Sequence, residues 1–280
     1  MIVYYCGKFL EKSEARFSPD DRGLVFGDGV YEVVRSYGGR LFRWDAHVDR
    51  LAYGLEQLRI SGADLPSLAG VVRRLLHENA LDKAAATIYL QITRGVAPRA
   101  HEFPPAGTPP TVYLDAKAFS PKTAAQQNGV SVIILPDQRW ARCDLKTTCL
   151  LPNILAYQKA REAGAAEAVL SRDGVLLEGS RSSMLFVADG RITAPPLNNY
   201  VLAGVTRQAA LELARGEGLP AAIEPFFEVD LPKLEEMMMV GTTSEITPVV
   251  MVNGRPVGNG SPGPLTRRLQ TAFRHLMDTI

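Results

Sequence analysis

The sequence lacks the features that mark several classes of protein. Its three cysteines, Cys6, Cys143 and Cys149, form no CxxC pair, which is typical of reduced, unpaired thiols. No apolar run approaches the roughly 18 residues that a transmembrane helix needs. The N-terminal segment has neither the basic nor the apolar region of a signal peptide. These absences predict a soluble, cytoplasmic protein.

The chain also has almost no net charge. Lys and Arg together number 31 and Asp and Glu 30, so the formal net charge is +1. Such a chain has no excess charge to hold it on nucleic acid or on an anionic membrane. The four histidines lie far apart and form no HxxxH or HExxH pair. We therefore expect no nucleic acid, no membrane and no metal as partners.

The composition is that of a globular protein, with 46% hydrophobic and 22% charged residues. Strand-like apolar runs, among them 24–37, and two helical periodicities fill residues 1–119. The polar segment 120–129 has no apolar period and predicts a linker. Hairpin-like strands and three further helices follow in residues 130–280. We therefore predict an α+β protein with two domains, 1–119 and 130–280.

One lysine is a candidate for covalent chemistry. Lys146 stands in the segment RWARCDLKTTCLL, between polar residues and an apolar run. A lysine that is partly removed from water can attack a carbonyl carbon, since more of its amine is then neutral. An ordinary surface lysine is the alternative interpretation of this segment.

Two other segments are candidates for holding a phosphate group. In LAGVTRQAA, the amides of Val205 and Thr206 stand at a predicted helix start, where free N–H groups attract anions. In GTTSEITP, residues 241–248, hydroxyl groups cluster after a buried strand. Plain helix capping is the alternative interpretation of both segments.

The proline-rich loop RGVAPRAHEFPP contains a possible carboxylate-binding pair. In an extended backbone the side chains of Arg99 and His101 point the same way and can converge on one carboxylate. A solvated loop is the alternative. Glu178 follows an apolar strand, where it is either a cap or a buried hydrogen-bond acceptor.

Other catalytic motifs are absent or poorly placed. The chain has neither a GxSxG nor a GxxxxGK[ST] sequence. A GxGxxG sequence spans Gly258 to Gly263, but Pro262 and Pro264 predict a helix-entry loop there instead of a dinucleotide site. A nicotinamide-dependent oxidoreductase is therefore a weak alternative, and a non-catalytic binding protein would leave Lys146 without a role.

Taken together, the segments resemble those of D-amino-acid aminotransferases in the fold-type IV, pyridoxal-phosphate-dependent, branched-chain-aminotransferase-like family. The resemblance covers practically the whole chain. The segments that carry it, in this order, are DRGLVFGDGVYEVV (21–34), HVDRL (47–51), TRGVAPRAHEF (93–103), RWARCDLKTTCLLPN (139–153), EGSRSS (178–183), LAGVTR (202–207) and TTSEITPV (242–249).

The resemblance implies a smaller N-terminal domain, a larger C-terminal domain, pyridoxal phosphate (PLP) in the cleft between them, and a homodimer. It assigns Lys146 as the catalytic lysine that binds the cofactor covalently, and Glu178 as the carboxylate facing the pyridine nitrogen. The other implied cofactor contacts are phosphate ligands: Arg50, Val205, Thr206 and Thr242. The implied substrate-carboxylate trap consists of Tyr31, Arg99 and His101, and the family takes the arginine and the histidine from the neighbouring subunit.

The resemblance also implies the reaction: ping-pong transamination between a D-amino acid, typically D-alanine, and a 2-oxo acid, typically 2-oxoglutarate, giving pyruvate and D-glutamate. The same-fold alternatives are an L-branched-chain aminotransferase, an (R)-amine transaminase and aminodeoxychorismate lyase. The Arg99–His101 loop argues against all three. The chain departs from the family pattern at Ser183, Gly241 and Cys149, where the family has Asn, Ser and Asn.

Overall fold

The computed structural model describes residues 1–279. It contains two compact units, which we describe separately. The N-terminal unit consists of Met1–Ser120 and Leu145–Leu150, and the C-terminal unit of Pro121–Asp144 and the chain from Leu151 onward. The predicted α+β class with two domains is confirmed. The domain limits 1–119, 120–129 and 130–280 stay a prediction.

Within residues 1–279, the sheet of the N-terminal unit has six antiparallel strands in the order β2-β1-β6-β5-β3-β4. The strands are β1 Ile2–Tyr5, β2 Lys8–Glu11, β3 Gly29–Tyr37, β4 Arg40–Leu41, β5 Ala85–Thr93 and β6 Thr111–Ala118. The helices of this unit are α1 Arg22–Phe26, α2 Trp44–Leu58 and α3 Leu68–Glu78.

The core of this unit lies between one face of the sheet and helices α2 and α3. Strand β3 alternates, so that Val30, Glu32 and Val34 are buried while Tyr31 and Val33 are half-buried. Helix α2 packs closely over β3: a Cβ atom on Gly54 would lie 2.9 Å from Val30 Cγ1. Strand β3 is therefore covered on one face by helix α2.

The prediction of a continuous strand over 24–37 is wrong at its start. Residues 22–26 form helix α1, because the Asp21 side chain accepts a hydrogen bond from the Gly23 amide and caps the helix. Gly27 then ends α1 in the left-handed conformation, with φ 67°. Local capping therefore overrides the strand-like apolar pattern of residues 24–26.

The strands of the C-terminal unit form a mixed sheet of ten strands within residues 1–279. They are β7 Val130–Pro136, β8 Glu167–Arg172, β9 Val175–Gly179, β10 Ser183–Ala188, β11 Arg191–Ala194, β12 Ala221–Ile223, β13 Phe226–Phe227, β14 Glu236–Gly241, β15 Glu245–Val252 and β16 Arg255–Pro256. The helices are α4 Thr123–Asn128, which lies within the predicted linker segment, α5 Leu151–Glu162, α6 Val205–Gly216 and α7 Pro264–Thr279.

One pairing closes this sheet on itself. The strand order β10-β14-β15-β7-β8-β9 is completed by a pairing of Ser183 in β10 with Glu178 in β9. An apolar core that includes Val169, Met184 and Met237 fills the unit. Across the described residues, no helix is long and apolar enough to cross a membrane.

Candidate active site

Lys146 lies beside the first residues of strand β3. The Tyr31 amide donates to the Lys146 carbonyl at 3.0 Å, and Val30 and Thr147 form a β-bridge. Lys146 Nζ is 3.2 Å from the Tyr31 hydroxyl oxygen and 4.2 Å from the centre of its ring. The lysine is half-buried. The structure therefore brings together two of the predicted site residues, on backbone that is fixed by strand-like hydrogen bonds.

Arg50 is held by an acidic partner that the sequence analysis did not identify. Arg50 Nε donates to Glu32 Oε1 at 2.6 Å and Arg50 Nη2 to Glu32 Oε2 at 2.8 Å, so the pair is bidentate. His47 Nδ1 lies 2.8 Å from Glu32 Oε2. Glu32 is 1% exposed. The predicted phosphate-binding arginine is thus fixed by a buried carboxylate.

Burial and pairing shift the pKa of the Glu32 carboxyl in opposite directions. Burial by itself raises the pKa of this carboxyl, but the charge of Arg50 and the hydrogen bonds from His47 and Arg50 lower it to about 2. Burial also lowers the pKa of His47, against the attraction of Glu32. Two features of the sequence could have indicated this role. Glu32 is an acidic residue inside the apolar segment YEVV, and His47 and Arg50 share a face of the predicted helix that contains HVDRL.

Arg99 and His101 lie on an exposed loop of the N-terminal unit and flank the half-buried ring of Phe26. The guanidinium carbon of Arg99 is 5.5 Å from the centre of that ring, and the His101 ring is 5.7 Å from it. Among residues 1–279, no hydrogen bond, ion pair or ring contact joins Arg99 or His101 to Tyr31 or Lys146. The two groups of predicted substrate residues are therefore separate clusters in one chain.

Glu178 lies where strands β9 and β10 meet in the C-terminal unit. Its carboxylate accepts from Arg139 Nη1 at 2.5 Å and from the Leu202 amide at 3.1 Å. Arg139 in turn donates to Asp137 at 2.9 Å and to the Tyr200 carbonyl at 3.0 Å. Burial opposes the charge of Arg139, yet Asp137 and Glu178 raise its pKa. Glu178 is therefore a buried carboxylate that forms an ion pair with the permanently charged guanidinium group of Arg139.

Val205 and Thr206 begin helix α6, and both are buried. Gly204 occupies the position before the helix, and no side chain caps it. A Cβ atom on Gly204 would lie 2.5 Å from Ser183 Oγ, so a larger residue here would displace the Ser183 side chain. An uncapped helix start with free amides is a suitable site for an anion.

Thr242 lies in the turn between β14 and β15, where Gly241 pairs with Glu245. A Cβ atom on Gly241 would lie 3.0 Å from Ser244 Oγ and 3.8 Å from Ser182 Cβ. Ser182 and Ser183 thus connect the Thr242 turn to the start of α6 and to Glu178. Within the C-terminal unit, the structure gathers the predicted residues of this unit around the EGSRSS segment.

Two departures from the family pattern have local consequences. The serine that the resemblance implies at the position of Gly241 would put its Cβ against Ser244 Oγ, so Ser244 would have to move. Cys149 Sγ lies 3.3 Å from the Gly27 carbonyl oxygen, which fixes the segment after Lys146 against the end of α1.

We expect the Glu32–Arg50 pair to make stability depend on pH between about 5 and 2. A lowered carboxyl pKa contributes stability above its unfolded value of 4.5, and this contribution is lost as the pH falls toward about 2. A shift of this size corresponds to about 3 kcal/mol. The free energy of unfolding of Glu32→Gln should therefore lie below that of the wild type at pH 6, with the gap closing at lower pH.

The measurement is urea unfolding of both proteins at pH 6 and pH 4. Glu56→Gln is the matched control, since Glu56 is an exposed residue of α2. A gap between wild type and Glu32→Gln that stays constant over this pH range would contradict the assignment of Glu32 as a buried, ionised partner of Arg50.

Comparison with known proteins gives a consistent set of similarities. A model of the family described as "Amino-transferase class IV" matches residues 29–252. The chain is 37% identical to a D-alanine aminotransferase of Staphylococcus haemolyticus over 99% of this chain and 98% of that protein. It is 38% identical to a D-alanine aminotransferase of Bacillus licheniformis over 98% of this chain and 96% of that protein.

Solved structures of branched-chain amino acid aminotransferases share the fold. For one structure of the Escherichia coli enzyme the TM-score is 0.92, with 27% identity over 99% of this chain and 94% of that one. For a second structure of the Escherichia coli enzyme the TM-score is 0.88, with 26% identity over 99% of this chain and 94% of that one.

Proposed function

The chain belongs to the amino-transferase class IV family and is a PLP-dependent aminotransferase, and from this premise we propose that its amino donor is a D-amino acid, typically D-alanine. The acceptor is a 2-oxo acid, typically 2-oxoglutarate, so that the products are pyruvate and D-glutamate. The two half-reactions follow a ping-pong mechanism. The predicted family, enzyme class and cofactor are confirmed.

The observation that carries the D-specific assignment is the side-by-side position of Arg99 and His101 on one loop. The Arg99 guanidinium carbon and the His101 ring lie 5.5 Å and 5.7 Å from the centre of the Phe26 ring, and an arginine fork together with an imidazole can bind a single carboxylate. The names of the curated relatives support this assignment: these proteins are called D-alanine aminotransferases, and they match nearly the whole chain. The L-branched-chain reaction is a secondary alternative, because solved branched-chain enzymes share the fold at 27% identity or less.

The residues of the chain suit the cofactor. Lys146 is half-buried and would bind it covalently, while the uncapped amides of Val205 and Thr206 suit its phosphate, together with Thr242. Arg50 would add a guanidinium group, with its orientation set by Glu32. Gly204 lets the start of α6 lie close to Ser183, since a Cβ atom at this position would be 2.5 Å from Ser183 Oγ.

Glu178 and Lys146 carry out the proton chemistry in this proposal. Bound PLP supplies an electron sink for the substrate α-carbon, provided its pyridine nitrogen is protonated. Glu178 would keep that nitrogen protonated, and Arg139 stabilises the carboxylate in its ionised form. The Lys146 amine, half-buried beside the Tyr31 hydroxyl, would take the α-proton as a general base when that amine is free. The Tyr31 hydroxyl, 3.2 Å from Lys146 Nζ, orients the lysine.

Handedness follows from the position of the carboxylate. The substrate nitrogen is fixed to the cofactor and the α-hydrogen must face Lys146, so two substituents remain, the carboxylate and the side chain. Exchanging their places inverts the configuration that is accepted. A carboxylate site built by Tyr31, Arg99 and His101 is the D-specific arrangement that the resemblance implies.

We also propose a cytoplasmic homodimer in which each site takes Arg99 and His101 from the partner. Within one chain these residues are exposed and have no contact of the kinds described above with Lys146 or Tyr31. Helix α5 exposes Leu151 at 66%, Ile154 at 59% and Leu155 at 53%, and neighbouring exposed apolar side chains of this kind are typical of interaction surfaces.

The first experiment is the visible spectrum of the purified holoenzyme, before and after D-alanine or L-alanine is added with no oxo acid present. We expect D-alanine alone to bleach the visible band of the bound cofactor, because only D-alanine presents its carboxylate to the Arg99 loop and its α-hydrogen to Lys146. Bleaching by L-amino acids alone would keep the family and overturn the proposed handedness.

Arg99→Leu tests the carboxylate trap directly. Loss of one charge-assisted hydrogen-bond pair should cost about 2–3 kcal/mol, which is about 30- to 150-fold in kcat/KM for D-alanine. Steady-state kinetics measure this, and the matched control is Arg73→Leu, at an exposed arginine of α3. Unchanged kcat/KM in Arg99→Leu would refute the assignment.

Light scattering tests the dimer. The wild type should have twice the 30.5 kDa mass of one chain. Ile154→Lys should shift the protein toward the monomer, since a charge buried in an apolar interface is costly. Gln57→Lys, at an exposed position of helix α2, is the control. A wild-type mass of one chain would rule out a site shared between subunits.

A further inference from the structure

Three side chains meet at the ring of Phe26, the last residue of helix α1. The guanidinium carbon of Arg22 lies 4.7 Å from the ring centre and that of Arg99 lies 5.5 Å from it. The His101 ring lies 5.7 Å away in a tilted arrangement. The electron-rich face of an aromatic ring attracts cations. Phe26 thus gives the two residues of the Arg99 loop a common platform.

Arg22 also fixes the backbone of this loop. Its Nη1 donates to the Ala100 carbonyl at 2.7 Å and to the Glu102 carbonyl at 3.3 Å. These two residues alternate with Arg99 and His101 along the chain. Holding the carbonyls of 100 and 102 therefore restrains the backbone on both sides of His101 and directly after Arg99.

Arg22 is itself anchored in the unit. Its Nε donates to Asp28 at 2.9 Å, and Asp28 also accepts from Arg94 at 2.7 and 2.9 Å. Burial raises the pKa of Asp28, but the two guanidinium groups outweigh this and keep it below its usual value. Arg94 also packs against the ring of Phe103, 3.8 Å from its centre, at the end of the loop. The loop is therefore held at several points.

We propose that Phe26 and Arg22 are positioning residues for recognition of the substrate carboxylate: Arg22 fixes the backbone of the Arg99 loop, and the ring of Phe26 restricts Arg99 and His101 to orientations that converge on one anion. This inference rests on the proposed role of Arg99 and His101. It applies equally whether they serve the site of their own chain or that of a partner.

The physical reason is the cost of ordering exposed side chains. A free arginine side chain loses rotamer entropy when it is fixed. Arg99 and His101 are both exposed, so without a platform this cost falls on every binding event. Restriction before binding lowers that cost. It acts on the bound substrate and on the transition state alike, and so it changes KM and leaves kcat nearly unaffected.

Phe26→Leu removes the ring and keeps an apolar side chain. We expect KM for D-alanine to rise about threefold to tenfold, the range that two cation–ring contacts suggest, with kcat and the visible band of the holoenzyme nearly unchanged. Calorimetric titration of the holoenzyme with propionate, a carboxylate without an amino group, should show the same rise in Kd. Phe26→Tyr keeps the ring and should restore both values.

Phe9→Leu is the matched control. Phe9 is another half-buried phenylalanine of this unit, with the Arg74 guanidinium carbon 4.0 Å from its ring centre and the Tyr4 ring at 5.2 Å. It should leave KM for D-alanine and Kd for propionate unchanged. An equal rise in Phe9→Leu and Phe26→Leu, or no rise in Phe26→Leu, would overturn the positioning role.

Arg99→Leu in the same assays separates this inference from the proposed function. If Arg99→Leu raises KM and Kd while Phe26→Leu does not, the carboxylate site stands and the positioning role is wrong. If Arg99→Leu changes neither value, the proposed carboxylate site itself fails, and the positioning role fails with it.

Discussion

The two-residue period of strand β3 is the constraint on which the N-terminal site depends. Neighbouring residues of a strand face opposite sides, so Tyr31 faces Lys146 while Glu32 faces helix α2 and Arg50. A slip of one residue in the pairing of β3 with β5 would exchange these faces. The register from Gly29–Thr93 to Tyr37–Ala85 spans nine pairs without a bulge. The geometry of the lysine and that of the arginine therefore come from the same ladder of hydrogen bonds.

The C-terminal unit reaches its arrangement by closure. Its sheet closes where Ser183 pairs with Glu178. Glu178 itself is proposed to face the cofactor ring, and the start of α6, which is proposed to bind the phosphate, lies against Ser183. Closure leaves no free strand edge between β9 and β10, so the EGSRSS segment is fixed at both ends. A buried carboxylate is costly unless it is paired, and Arg139 with the Leu202 amide meets that requirement for Glu178.

Much of the fold and of the candidate site was predictable from the sequence, because strand alternation, helix periodicity and long spaced motifs are local signals. The start of α1 was not, since the Asp21 cap and the Gly27 ending outweigh the apolar pattern of 24–26. Glu32, Arg139 and Arg22 were missed as partners because their roles depend on residues 18, 39 and 78 positions away. The sequence shows that a charged residue stands within an apolar segment, but only the fold shows which distant residue neutralises its charge.

The Glu32–Arg50 pair has a consequence for how such a sequence can change over time. Replacing Arg50 alone takes the guanidinium group away from the buried Glu32 carboxylate, and replacing Glu32 alone removes the bidentate partner of Arg50. The two positions are therefore energetically coupled, and their substitutions are not additive. Replacing both residues together should therefore cost less stability than the sum of the two single replacements.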